Sequence, residues 1–261
     1  MNPKISVVMS AYKADKYLRE CIESILNQTF TDFEFVIVND CSTDKTSEIL
    51  NFYSDKDSRI KIINNTKNIG LTKSLNIALK ESKGEYIARM DADDICMPER
   101  FQKQFDFLES NKDHVLVGSW MKIINENGEE IDEWESEVNN EKIKEKLIRY
   151  NPLSHSSIMI RTSLLIEEGG YNEKWRYAQD YELYFRLARL GKFANLPECL
   201  LKSRHSKKSI TSSKNTAQSL CALRARWSGI KSGDYSLGNI IFLMRPILGI
   251  LLPKSFKDLY K

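Results

Sequence analysis

The chain has 261 residues, 41% of them hydrophobic, enough to bury a full core as one α/β domain with an appendage. Its formal net charge of +3 is too mild for a nucleic-acid partner. Cys21, Cys41, Cys96, Cys199 and Cys221 show no paired spacing, Met1-Asn-Pro-Lys carries no signal-peptide pattern, and a cytoplasmic protein is expected.

Ile5-Ser-Val-Val-Met9 reads as a first strand, followed by the loop Ser10-Ala11-Tyr12. The spacing of Leu18, Cys21, Ile22, Ile25 and Leu26 predicts an amphipathic helix packed on a sheet. Phe33 to Val38 is a near-continuous apolar run, as in a strand buried on both faces, and it ends in Asn39-Asp40. Ser42, Thr43 and Asp44 offer N-caps for a helix with Ile49, Leu50 and Tyr53 inward. A third strand at Ile60 to Ile63 precedes Asn68-Ile-Gly70, which opens a helix through Leu75, Ala78 and Leu79. Tyr86 to Met90 is the fourth strand. This alternation predicts a parallel sheet, with ligands beyond the carboxyl ends of its strands, where Tyr12, Asp40 and Asp91 fall.

The stretch Gly84-Glu-Tyr-Ile-Ala-Arg-Met-Asp91-Ala-Asp93-Asp94 ends a buried strand in clustered like charge. Side chains two apart in an extended chain point the same way, so Asp91 and Asp93 can converge while Asp94 points elsewhere. Converging carboxylates suit Mg2+ or Mn2+ on a diphosphate. The competing reading is an acidic turn in which Asp94 caps a helix after Pro98, through Phe101, Phe105 and Leu108.

In the second half, Asn151-Pro-Leu-Ser-His155-Ser-Ser leads into a strand at Ser156 to Ile160. A lone histidine there is more often structural, and His155 and His205 lie far apart without a Cys–His pattern, which argues against zinc. A helix beginning at Trp175 carries Leu183, Leu187 and Leu190 on its apolar face and stops at Gly191. Asp180 falls in its first turn, where an acid also serves the helix dipole by about 0.3 to 1 kcal/mol. Thr216 to Lys231 reads as a basic helix with Leu220, Leu223 and Trp227 inward. The following run Ile240 to Leu252, broken by Arg245-Pro246, is too short to span a bilayer; with Lys254, Lys257 and Lys261 it suits an anionic interface, or packing on protein.

The chain resembles the family 2 glycosyltransferases, inverting nucleotide-sugar enzymes of GT-A fold, over about residues 4 to 210. The resemblance rests on five motifs in order: Ile5 to Tyr12, Val36-Ile-Val-Asn-Asp40-Cys-Ser-Thr-Asp44, Asn68-Ile-Gly70, Gly84 to Asp94, and Gln179-Asp180-Tyr-Glu-Leu183. It implies a GT-A domain over 1–212, with a nucleotide-binding half (1–97) and an acceptor half (98–212), and a helical segment over 213–261. It also implies a nucleotide site of Ala11, Tyr12, Asp40, Lys73, Arg89, Asp91 and Ala92, with Asp40 accepting from a uracil N–H. Asp93 is the implied direct ligand of Mn2+ or Mg2+, with Asp91 beside it on the ribose and a metal-bound water. Asp180 is the implied general base, with Glu182 as competitor. In Arg204-His205-Ser-Lys207-Lys208-Ser209, the residues Arg204, His205 and Ser209 are implied to reach the pyrophosphate; a basic loop without a role is the other reading. One departure is Ser74-Leu75-Asn76 where the family often has Ala-Arg-Asn, which leaves Lys73 or Arg89 to replace the arginine. Asp40, read without the other motifs, is first a turn or cap residue beside Ser42 and Asp44.

The expected activity is transfer of a hexose or N-acetylhexosamine from a UDP-sugar to a glycan acceptor on a lipid carrier, with residues 236–261 touching the inner face of the cell membrane. A sugar nucleotidyltransferase would want a glycine-rich basic loop after the first strand, which Ser10-Ala-Tyr-Lys-Ala-Asp15 lacks, and no Gly-x-Gly-x-x-Gly supports a dehydrogenase. A non-catalytic partner subunit need not keep Asp91, Asp93 and Asp180 together.

Overall fold

The computed structural model describes residues 2–205 and 216–243. In chain order the elements are β1 (Ile5–Ala11), α1 (Leu18–Leu26), β2 (Phe33–Asn39), α2 (Thr46–Ser54), β3 (Ile60–Asn64), α3 (Leu71–Glu81), β4 (Tyr86–Arg89), β5 (Ile95–Cys96) and α4 (Arg100–Ser110). There follow β6 (His114–Ile124), β7 (Glu130–Trp134), α5 (Asn140–Leu147), β8 (Met159–Arg161), α6 (Thr162–Glu167), α7 (Gln179–Leu187), β9 (Lys192–Arg204) and α8 (Thr216–Lys231), with 3-10 turns at His155–Ser157 and Leu237–Ile240.

The apolar runs form the parallel half of one sheet, in the order β3-β2-β1-β4. Because Ala11 pairs with Asn39 and Val8 with Arg89, the loops after β1, β2 and β4 leave the sheet side by side. The sheet continues through β8, β6, β9 and β5, with β7 as a hairpin arm on β6. Alternate residues divide between two cores, as a pleated strand requires: Val8, Val36 and Val38 face α3, α5 and α7, while Val7, Met9, Phe35 and Ile37 face α1, α2 and α4. Arg100, fully buried, clamps the end of β4: its Nη2 donates to the carbonyls of Arg89 at 2.9 Å and Ile158 at 3.2 Å.

Three expectations change. Ser156 to Ile160 is a 3-10 turn followed by the short β8. The helix expected from Trp175 begins at Gln179, because Ala178 holds a left-handed conformation, φ 53°. On α8 the inward residues are Ala225, Arg226, Gly229 and Ile230, whereas Leu220 and Trp227 are 47% and 49% exposed. The approach to α7 is close at Gly229, where a Cβ would lie 2.6 Å from the ring of Phe185. No helix among the described residues is long and apolar enough to cross a membrane.

Candidate active site

The loop after β2 builds the floor of the site. Asp40 is buried, and its carboxylate accepts from Asn65 Nδ2 (2.8 Å) and Ile69 N (2.9 Å) on Oδ1 and from Gly70 N (2.8 Å) on Oδ2. It therefore ties the β2 loop to the start of α3, and a carboxylate with about four acceptor directions keeps one free on Oδ2. Gly70 has φ +88°, a conformation that favours glycine at this turn. The N-cap position of α2 is Lys45, with no side-chain cap, and the expected caps Ser42 and Asp44 tie down the neighbouring loop instead. Ser42 Oγ accepts from Lys13 N (3.1 Å), Asp44 from Asp15 N (3.3 Å) and Thr46 N (3.1 Å), and Thr46 Oγ1 from Ala14 N (2.9 Å). These bonds fix the loop that presents Tyr12, whose side chain stands 47% exposed beyond the buried Ala11.

Among the described residues, three non-glycine residues have positive φ: Lys13 (51°), Cys41 (59°) and Ala178 (53°). They adjoin Tyr12, Asp40 and the turn before Asp180, and strain concentrated at such positions is what a preorganised site requires. Left-handed backbone costs an L-residue about 1–2 kcal/mol; glycine escapes that cost but gives back part of the gain through its greater freedom in the unfolded chain. Cys41→Gly is thus expected to stabilise the fold by up to about 1 kcal/mol in urea titration; a drop in stability would show that the Cys41 contact with the Thr66 carbonyl (3.7 Å) outweighs the strain.

The acidic stretch leaves β4 through a turn at Ala92 and Asp93, not as the extended chain expected. Asp94 is buried and turned away: it accepts from Ser156 Oγ and from Arg204 N (2.9 Å), so it pins the end of β9 and the 3-10 turn and does not cap α4. Burial and the charges of Asp91 and Asp93 push its carboxyl up to about 7. The Asp91 side chain is 41% exposed and accepts from Arg89 Nη2. Asp93 is half-buried, and burial with the charge of Asp91 raises its carboxyl to about 6. Among the described residues no group of three His, Cys, Asp or Glu is arranged to hold a metal. The donor set available is the pair Asp91 and Asp93, which repel each other without a cation; two carboxylates suit a hard cation that takes its other ligands from phosphate and water.

Arg89 lies at the centre, only 2% exposed, with Nε and Nη1 unpartnered. Burial opposes its charge, but Asp91 holds it protonated. It is enclosed beneath the site and is not an open contact for a nucleotide. The same positive charge acts on Asp180, whose carboxyl burial raises while the Tyr181 amide, Arg89 and Asn151 oppose the rise. Asn151 Nδ2 donates to Asp180 Oδ2 at 2.9 Å, with the amide oriented by Leu153 N on its Oδ1 (3.2 Å). Glu182 faces away into a pair with Arg186 (3.0 Å). His155 accepts or donates at the Tyr171 hydroxyl (2.7 Å), and burial with the Arg89 charge keeps it neutral.

Other expected residues are placed differently. Arg204 is spent on structure: Nε donates to the Asp93 carbonyl (3.0 Å), Nη1 to the Asn125 carbonyl (3.2 Å) and Nη2 to Glu20 (2.6 Å), so it positions the acidic loop from behind instead of presenting a free cation. His205 is exposed just after it. Ser209, with Lys207 and Lys208, lies outside the described residues. Lys73 is exposed in the first turn of α3, and Ala92 is half-buried between Asp91 and Asp93. Sequence reasoning missed Asn151, Ser156 and Tyr171. The polar run Asn151 to Ser157 was the signal for the first two, and nothing marked Tyr171.

The glycosyl transferase family 2 profile matches residues 6–169. An uncharacterized glycosyltransferase of Haemophilus influenzae is 39% identical over 211 residues, 77% of this chain, and the match spans 65% of that relative's length. The O-antigen biosynthesis glycosyltransferase WbnJ of Escherichia coli is 37% identical over 78% of this chain and 81% of its own. The amylovoran biosynthesis glycosyltransferase AmsE of Erwinia amylovora is 31% identical over 98% and 97%. Two solved structures share the fold: S. aureus TarS 1-349 in complex with UDP-GlcNAc (TM-score 0.77, 22% identity, 99% of this chain and 76% of that one) and the mannosyltransferase PcManGT of Pyrobaculum calidifontis with GDP-Man and Mn2+ (0.70, 16%, 100% and 79%). The mixed α/β sheet with its flanking helices is the GT-A fold, and the chain belongs to glycosyl transferase family 2.

Proposed function

We propose that this protein is an inverting glycosyltransferase that moves a hexose or N-acetylhexosamine from a UDP-sugar to a glycan acceptor by single displacement. The observation that carries the reading is the buried Arg89 guanidinium, bonded to Asp91 and close enough to Asp180 to act on its charge, so that the donor-side carboxylate and the candidate base share one electrostatic centre. Ala11, Tyr12, Asp40, Lys73 and Ala92 form the nucleotide cradle, with the free direction of Asp40 Oδ2 turned to a uracil N–H. Asp93 and Asp91 would hold a Mn2+ or Mg2+ ion, which when bound neutralises charge on the diphosphate. Asp180 takes the proton of the acceptor hydroxyl while that oxygen forms a bond to the anomeric carbon; the bond from that carbon to the diphosphate oxygen breaks, and UDP departs with inversion. A carboxyl held above its usual range by burial is a stronger base than a solvated one. Incubation with UDP-glucose, UDP-galactose and their N-acetyl forms plus Mn2+ should release UDP from at least one; release from none, with GDP-mannose turned over, would overturn the uridine reading.

Asp93 also sets the pH response. Its folded carboxyl, near 6, lies above the usual 3.8, so its ionisation destabilises the metal-free fold as pH rises from about 4 to 6, and a cation relieves this repulsion. Below about 6 a proton competes with the ion. The Mn2+-induced rise in Tm is expected to be larger at pH 7.5 than at pH 5; an equal rise would place the ion elsewhere.

The acceptor in this reading is lipid-linked, in keeping with relatives named for O-antigen and amylovoran biosynthesis. The division into donor half (1–97), acceptor half (98–212) and C-terminal segment (213–261) belongs to the same reading, with the protein on the inner face of the cell membrane. Its physical support is the outer stripe of α8, where Leu220, Arg224, Trp227 and Lys231 recur at spacings of four, three and four, with Ile240 and Ile241 exposed nearby. Apolar and aromatic groups among cations suit an anionic interface. Vesicles rich in phosphatidylglycerol should pellet the wild-type chain and release a Leu220→Ser/Trp227→Ser variant; equal pelleting of both would refute this face. The tail beyond residue 243 lies outside the described residues.

A further inference from the structure

Arg226 is a buried cation, 7% exposed, and among the described residues no carboxylate lies within ion-pair distance of it. A cation removed from water without a countercharge is costly, and each of its donors must find an acceptor. Each of its three nitrogens does, on three different segments: Nε donates to the Tyr181 hydroxyl (3.2 Å), Nη2 to the Arg149 carbonyl (2.5 Å) and Nη1 to the Phe242 carbonyl (2.9 Å). Tyr181 in turn donates to the Leu147 carbonyl at the end of α5. Phe242 stacks under Arg149, whose guanidinium lies 4.7 Å from its ring centroid.

The segments joined in this way are those that carry the candidate base and its partner. Tyr181 follows Asp180 on α7, and Arg149 precedes Asn151, which donates to the Asp180 carboxylate. The spacing of these two segments sets the Asn151–Asp180 bond, so a hub that fixes their separation fixes the carboxylate.

We propose that Arg226 is a positioning residue for sugar transfer: it holds Asp180 in register with Asn151 by bonding the segments that bear them, and through Phe242 it ties that register to the C-terminal appendage. This rests on Asp180 as general base. The contact between α7 and α8 is close enough to transmit displacement, since the Phe185 ring occupies the space beside Gly229. Misplacement of a reacting group by about 1 Å is enough to slow a reaction about 100-fold.

The test uses the full chain with Mn2+ and whichever UDP-sugar it turns over, followed as UDP release. Arg226→Met is expected to lower kcat about 10–100-fold at a donor KM within about twofold of wild type, with the UDP-induced Tm shift retained. Arg226→Lys, which keeps the charge and part of the bonding, should recover part of the loss. Arg226→Met combined with Asn151→Ala should be little slower than the slower single variant, because both act through one carboxylate. A folded Arg226→Met with wild-type kcat, a matching rise in KM, or multiplicative losses in the double variant would each overturn the inference. If Arg226→Met does not fold, Tyr181→Phe decides: reduced kcat at unchanged KM supports the hub, and unchanged kcat overturns it. Asp180→Asn run alongside separates the two ideas. Retained turnover there removes the base and the inference with it, whereas an inactive Asp180→Asn beside a fully active Arg226→Met removes the inference alone.

Discussion

Asp180→Asn is expected to abolish most sugar transfer, a loss of about 10²–10⁴-fold in kcat, while leaving the fold and UDP binding intact. The substitution is nearly isosteric, and the new side-chain oxygen can still accept from Asn151 Nδ2, so α7 keeps its anchor. What disappears is the capacity to take a proton. The magnitude is that of a positioned general base, and the buried setting adds to it, because a carboxyl raised above its usual range holds an abstracted proton more firmly. Single-turnover kinetics with the UDP-sugar that the wild-type protein uses, beside a UDP melting curve, separate the chemical step from binding. Full activity in the variant would transfer the role to another group; Glu182 is a poor substitute because its carboxylate is committed to Arg186.

Asp93→Asn is the second large effect. Among the described residues Asp91 and Asp93 are the candidate pair, so removing one halves the anionic charge they offer to a cation and leaves Asp91, already shared with Arg89, alone. A loss of about 10³-fold in kcat/KM, roughly 4 kcal/mol of transition-state stabilisation, is expected with saturating Mn2+. The metal-free protein should respond in the opposite direction: relieved of the repulsion between Asp93 and Asp91, the variant is expected to melt higher than wild type near pH 8. Activity unchanged by the substitution, or a lower melting temperature without metal, would show that Asp93 is structural, as Asp94 is.

The contrast between Asp93 and Asp94 shows how far the sequence could be read. The parallel strands were legible because burial on both faces leaves an apolar run that admits few other readings; the acidic stretch after β4 is a turn at Ala92 and Asp93, where strand alternation does not apply. The partners of Asp94 were not legible, since Ser156 and Arg204 lie 62 and 110 residues away and no local pattern encodes such pairings. Arg204 failed for the same reason: a cation beside a histidine suggests a phosphate loop, but Glu20, far back on α1, takes the guanidinium. On α8 hydrophobicity alone places Leu220 and Trp227 inside, whereas Ala225, Arg226, Gly229 and Ile230 face inward, Gly229 directly against the Phe185 ring.

The most direct measurement is the melting temperature of the full chain with UDP, GDP, CDP and TDP, each with and without Mn2+. Ligand bound only by the native state stabilises it by about 2.7 kcal/mol at a hundredfold excess over Kd. A rise with UDP that requires Mn2+ and vanishes in Asp93→Asn is the result expected of a uridine–metal site at Asp40, Asp91 and Asp93. A metal-independent rise, or one of equal size with GDP, would contradict it.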